Sequence, residues 1–181
     1  MDKQQLSMTM RSLHWLVALG MIFLTVVGFY MSTYEVWDLY DIHKEVGVIA
    51  LLIILPRIVL RLKKGWPTPV REYPVLEHKL AVVVHWVLLI STILMPISGF
   101  IMSSAGGHGV DVLGFVLFPS NFSSANPSEA IPLNATLAEF AEETHGLLGY
   151  VLAATIILHV VGTLKHHYFD KDRTLLRMLG K

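Results

Sequence analysis

The chain has 181 residues, with 14 basic and 14 acidic side chains, 54% hydrophobic residues and no cysteine; its mean hydropathy is +0.57. A composition this apolar lies outside the range of a soluble domain of this size and makes lipid the expected solvent. The missing cysteine excludes disulfides, thiolate metal sites, iron–sulfur clusters and covalent haem attachment through CxxCH, and nucleic acid is not an expected partner.

The N-terminal MDKQQLSMTMRSLHW runs directly into an apolar stretch without the small-residue pattern of a cleaved leader, so this stretch is expected to remain as a first helix. A bilayer core of about 30 Å takes about 20 mostly apolar residues per helical crossing. Four stretches meet that length, at 12–31, 43–62, 82–102 and 138–164. Between them lie a short acidic loop (32–42), a basic loop containing prolines (63–79) and a long loop rich in Gly, Ser, Asn and Pro (103–137). The expected architecture is all-α: one domain over residues 1–181, an integral membrane bundle of four helices.

Positively charged short loops stay on the cytoplasmic side. With both termini inside, Lys44 is the only one of the 14 Lys and Arg residues left outside, while nine of the 14 acidic residues face outward. An N-in, C-in topology follows. Pro56, Pro96, Gly28, Gly47, Gly99, Gly146 and Gly149 interrupt the helical stretches, and glycine there lets a neighbouring backbone or a flat cofactor approach closely. The tail FDKDRTLLRMLGK sets Leu175, Leu176, Met178 and Leu179 among basic residues, which fits either a short helix on the inner membrane surface or a frayed polar end.

Nine histidines is a high count, and ionisable side chains inside membrane helices are costly enough to be functional as a rule. His14 falls near the inner end of the first helix, His43 at the outer end of the second and His85 two turns into the third from the inside. The fourth carries His145 towards the outside and His159 towards the inside. The interval between His145 and His159 is nearly four helical turns, so both leave one face, ~21 Å apart along the axis. The same interval joins His14 to Gly28, His43 to Arg57 and His85 to Gly99. Each pair marks an inner and an outer level. At the outer level His43 and His145 are natural axial ligands for a haem b, with Gly28 and Gly99 leaving room for the ring. At the inner level His159 needs a partner, and His14 or His85 serves. Arg57 and Arg61, one turn apart, suit haem propionates or snorkel to the interface. His78, His108, His166 and His167 lie at or beyond the membrane boundary and read as surface histidines.

The segments LHWL at His14, IHKEVGV at His43, PRIVLRL around Arg57 with the following PTP, and PISGFIMS in the third helix resemble the bacterial cytochrome b561 family. So do THGLLGY at His145, ILH at His159 and the tail LKHHYFDKDRTLLRM, so the resemblance covers nearly the whole chain. It implies a cytochrome of the bacterial inner membrane with two non-covalent b haems, each held by two histidines. Carried over by position, it implies His14 with His159 for the inner haem and His43 with His145 for the outer, which leaves His85 beside a haem or at a quinone site. It further implies quinone-linked electron transfer, in some members from superoxide outside the membrane to ubiquinone.

The expected function is electron transfer from superoxide or a redox partner on the periplasmic side to ubiquinone or another quinone. Lys44 would lie at electron entry, and His85, His166 and His167 near the quinone. A positive outer surface would steer superoxide, whereas the outer loops here are acidic and Lys44 is their one base. An electron-transfer subunit serving a separate oxidoreductase is the alternative of the same class. A histidine-lined metal transporter is the alternative of another class, and it would want carboxylates along spans that contain almost none.

Overall fold

A computed structural model describes residues 6–181, and Lys3, counted above among the inner basic residues, lies outside them. Each apolar stretch lies within a longer helix: α1 (Met8–Tyr34), α2 (Tyr40–Lys64), α3 (Val75–Ala105) and α4 (Ala135–Tyr168). Side chains start two of them. Ser7 Oγ accepts from the Met10 amide and Asn134 Oδ1 from the Leu137 amide, capping α1 and α4. Pro74 opens α3, and Gly65, at φ +68, ends α2. α1, α3 and α4, of 27, 31 and 34 residues, are each long and apolar enough to cross a membrane. α2 has 25 residues, but Lys44, Glu45, Arg57 and Arg61 lower its hydropathy.

The helices close into an antiparallel ring, α1 against α2, α2 against α3, α3 against α4 and α4 against α1, an up-and-down bundle. The start of α1 and the C-terminal tail share one end with the α2–α3 loop; the other end carries the long α3–α4 connection. Midway between the ends, Val17, Met21 and Leu24 of α1, Ile54 of α2, Met95 of α3 and Leu152 of α4 form a buried cluster. Ile54 and Leu152 are wholly enclosed. Large apolar side chains such as Leu19, Phe23, Leu52, Val83 and Leu147 point away from the bundle, as helices that are apolar all round do when lipid surrounds them.

Two segments depart from expectation. The 103–137 stretch, read as an irregular loop in an all-α chain, contains the only strands among the described residues, β1 (Val110–Val112) and β2 (Phe115–Phe118), paired antiparallel. Leu113 and Gly114 between them have φ of 50° and 81°, a tight turn whose twist matches the strands. Leucine at the first of these positions hides the turn from a sequence reading, because the left-handed region disfavours it. The tail forms α5 (Thr174–Leu179) and is not frayed. It packs across the terminal end, where Trp15 Nε1–H donates to the Met178 carbonyl at 3.2 Å and Arg177 Nη1 to the Thr68 carbonyl at 2.9 Å.

Candidate functional site

His43 on α2 and His145 on α4 face each other with ring centroids 6.2 Å apart. His14 on α1 and His159 on α4 do the same at 6.3 Å. Two imidazoles sharing one metal through bonds of ~2.0–2.1 Å, with each nitrogen roughly 1.1 Å from its ring centre, have centres roughly 6.3 Å apart. Both pairs therefore stand at the separation that admits one metal ion between them.

The surroundings of the first pair fit a flat, metal-centred group. His145 Nδ1–H donates to the Met95 carbonyl at 3.0 Å, with Ser98 Oγ at the same distance. That bond fixes the tautomer whose Nε2 lone pair is free, the arrangement typical of metal-binding histidine. Pro96, next in the chain, has no N–H and loosens the helical ladder at this turn. His43 Nδ1 is buried without a hydrogen-bond partner among the described residues, a cost that only a partner on that nitrogen would remove. A Cβ on Gly28 would meet His43 Cε1 at 3.3 Å, and one on Gly99 would meet His145 Cε1 at 3.0 Å, so these glycines admit the imidazoles themselves. Two small open clefts, both lined by His43, Gly47, Pro96 and His145, flank the pair. A planar macrocycle centred between the two rings would enter both.

The second pair is more crowded. His85 stands 5.2 Å from His159, ring centre to ring centre, closer than His14 and closer than a shared metal requires. Its Nδ1–H donates to the Ala81 carbonyl at 2.6 Å, leaving Nε2 as the free nitrogen. Arg57 Nη2–H donates to His14 Nδ1 at 3.1 Å, which leaves the proton of a neutral His14 on Nε2, so that nitrogen becomes free for a metal only when Arg57 turns to another acceptor. Neither Arg57 nor Arg61 forms an ion pair among the described residues, so the half-buried Arg57 guanidinium has room for a carboxylate from a bound group. Arg61 turns away, donating to the Gly65 carbonyl at 3.1 Å and lying over Trp66 at 5.0 Å. Trp66 was not singled out by the sequence reading. Its ring is 5.5 Å from both His85 and Trp86, and its place just past a basic helix end, where interfacial aromatics collect, was the available signal.

Lys44 and His166 are engaged elsewhere. Lys44 Nζ pairs with Asp41 at 2.9 Å, lies 4.7 Å above the Tyr40 ring and donates to the Gly109 carbonyl at 3.3 Å. His166 sits in a polar clasp at the terminal end, its Nδ1 2.8 Å from Asp170 Oδ2 and its ring 4.7 Å from that of Tyr73. Lys165 Nζ bridges Glu77 at 2.8 Å and Asp170 at 2.9 Å, and Arg71 reaches Asp170 at 3.0 Å. Glu77, His166 and Asp170 converge closely enough to hold a metal ion, but Lys165 already supplies the positive charge there. The bond from Lys165, then that from His166, holds the Asp170 carboxyl below the ordinary carboxylate value. Burial alone would raise Asp172; hydrogen bonds from Tyr73 and Thr174 outweigh it and lower that carboxyl too. His108, on the connection at the opposite end, is exposed and stacks edge-on against Tyr40 at 5.4 Å.

The chain is similar to known proteins over nearly its whole length. The prokaryotic cytochrome b561 family matches residues 5–181. A probable superoxide oxidase CybB of Yersinia pestis is 31% identical over 173 residues, covering 93% of this chain and 92% of that protein. Cytochrome b561 homolog 2 of Escherichia coli K12 is 28% identical over 93% of this chain and 87% of its own length. Cytochrome b561 homolog 1 of the same organism is 28% identical over 97% of each. With three apolar helices long enough to span a bilayer and facing histidines in the bundle, the chain belongs to the prokaryotic cytochrome b561 family, multi-pass electron-transfer cytochromes of the bacterial inner membrane for which haem b is the implied cofactor.

Proposed function

We propose that all four long helices cross the membrane with both termini inside, and that the chain carries single electrons through two b haems between a periplasmic-side donor and the quinone pool. The leading reaction is superoxide to ubiquinone. The observation that carries this reading is the stacking of two matched imidazole pairs on one helix, His145 with His43 and His159 with His14, ~21 Å apart along α4. Haem b, held by these histidines, would supply a one-electron iron couple.

The residues then divide the work by depth. His43 and His145 hold the outer group and His14 and His159 the inner one, while Gly28 and Gly99 give the outer imidazoles their room. Arg57 offers its guanidinium to an inner propionate. His85, with Nδ1–H committed to Ala81, keeps Nε2 free to exchange a proton or to hydrogen-bond a quinone oxygen. Trp66 and Trp86, both partly open to lipid, offer flat faces to a planar headgroup beside it. His166 is less suited to that role than the sequence suggested, since Asp170 already engages its Nδ1.

One observation favours a second reading within the same class, a subunit reduced by a separate oxidoreductase or periplasmic redox protein. Asp41 neutralises Lys44, so the acidic outer face suits a basic protein partner. Stopped-flow haem reduction in nanodiscs, with superoxide and with quinol as separate reductants, distinguishes the two. Rapid reduction by superoxide alone, followed by electron appearance in added ubiquinone, supports the leading reading. A chain reduced by quinol and inert to superoxide would overturn it in favour of the protein-partner reading.

A further inference from the structure

We propose that the β1–β2 hairpin is a membrane-embedded wedge whose tip enters the headgroup–acyl boundary beside α2 and α3, with lipid as the partner that covers it. The hairpin lies against the bundle flank, with base and tip at similar depth. At its base, the Gly109 carbonyl accepts from Ser103 at 3.0 Å and from Lys44 at 3.3 Å. Further along, Val110 is buried and lines the cleft beside His43 and His145. At the tip, the Leu113 amide donates to Glu45 Oε1 at 2.7 Å. Glu45 is five residues beyond Tyr40, the first residue of α2, about 7.5 Å along the axis at 1.5 Å per residue. Phe118 meets Phe100, five residues inside the end of α3, at 6.5 Å between ring centres. Base and tip therefore both lie inside the ends of α2 and α3, close to the level of the outer histidine pair.

Its chemistry matches that depth. Leu113, Phe115, Val116 and Leu117 are 74%, 74%, 65% and 51% exposed. Neighbouring strand residues point to opposite faces, so β2 shows apolar side chains on both faces, where a hairpin in water would alternate apolar with polar. Tyr30 and Tyr34 at the end of α1 and Trp37 just beyond it are exposed, aromatics of the kind that collect at the bilayer interface. The hairpin surface is continuous with the lipid-facing flank of α3 through Phe100. Open strand edges are excluded from the hydrocarbon centre, and the ester-rich boundary layer is the depth at which apolar side chains and polar backbone are both satisfied.

This inference is independent of the electron donor and of haem number. Because the chain has no cysteine, single nitroxide labels can be placed at Phe115→Cys, Val116→Cys and, on the exposed polar part of the same connection, Ser128→Cys. The haem-loaded chain is reconstituted in nanodiscs of phosphatidylethanolamine and phosphatidylglycerol. Power saturation by oxygen, which partitions into lipid, is compared with saturation by an aqueous nickel chelate. The wedge predicts an oxygen-to-nickel accessibility ratio at 115 and at 116 several-fold above that at 128. Nickel access at either tip position equal to that at 128 overturns it, as does shielding of either tip position from both reagents, the signature of cover by protein.

Discussion

Gly99 lies against the edge of His145 so closely that a Cβ there would stand 3.0 Å from Cε1. Gly99→Ala must therefore push the imidazole out of line with His43. The expected outcome is loss of much of the outer haem, or a displaced midpoint potential for what remains, with the inner site unchanged. Gly28→Ala, at 3.3 Å from His43, should have a smaller effect, and Gly162→Ala, with nothing within 4 Å, none. Haem per chain and a spectroelectrochemical titration check all three.

Arg57 places a half-buried positive charge beside His14. A positive charge favours the more negative, reduced state of a nearby redox centre. Arg57→Gln should lower one midpoint potential by about 60 mV or more, a factor of ten for one electron, and leave the other in place. Arg61→Gln should change it less, because Arg61 faces Trp66. Equal shifts for the two variants would contradict the assignment of Arg57 to the inner site.

The adjacency of His43 to His145, and of His14 and His85 to His159, was legible in the sequence because a fixed interval on a regular helix fixes both face and depth. The interval could not rank His14 against His85; that depends on lateral helix placement, which sequence spacing does not contain. Lys44 was legible as the lone outer base, yet its charge is offset by Asp41 three residues earlier, a neighbour on the same helical face. The hairpin was missed because its turn uses leucine in a backbone region that leucine seldom adopts. The polar clasp around Asp170 joins the α3 start, the α4 end and the loop at Arg71 and Tyr73, a convergence that only the folded chain produces.

Leu152 lies seven residues from each α4 histidine and is wholly enclosed. Leu152→Ala should cost about 2–5 kcal/mol through lost burial and the cavity left behind. Both imidazole pairs remain, so haem content should stay at the wild-type level while thermal unfolding in detergent moves to lower temperature.

Asp170 and Asp172 both have lowered carboxyl pKa values in the fold. A depressed carboxylate stabilises the fold at pH values above its unfolded pKa, and that contribution is lost as pH falls through the folded value. The C-terminal tail should therefore stay docked through neutral and mildly acidic pH and loosen only on the acid side of the ordinary carboxylate range. Hydrogen exchange of the amides in 172–181 measures this. Asp170→Asn should raise their exchange several-fold at neutral pH, and unchanged exchange would show that the clasp does not hold the tail.

The pairing of α4 histidines with partners on α1 and α2 is tested most directly by haem per chain in the purified protein and its histidine variants. The account predicts two b haems in the wild type, one after His145→Ala, one after His159→Ala, none in the double variant and two after His85→Ala. A wild type with a single haem, or a double variant that keeps its pigment, would contradict it.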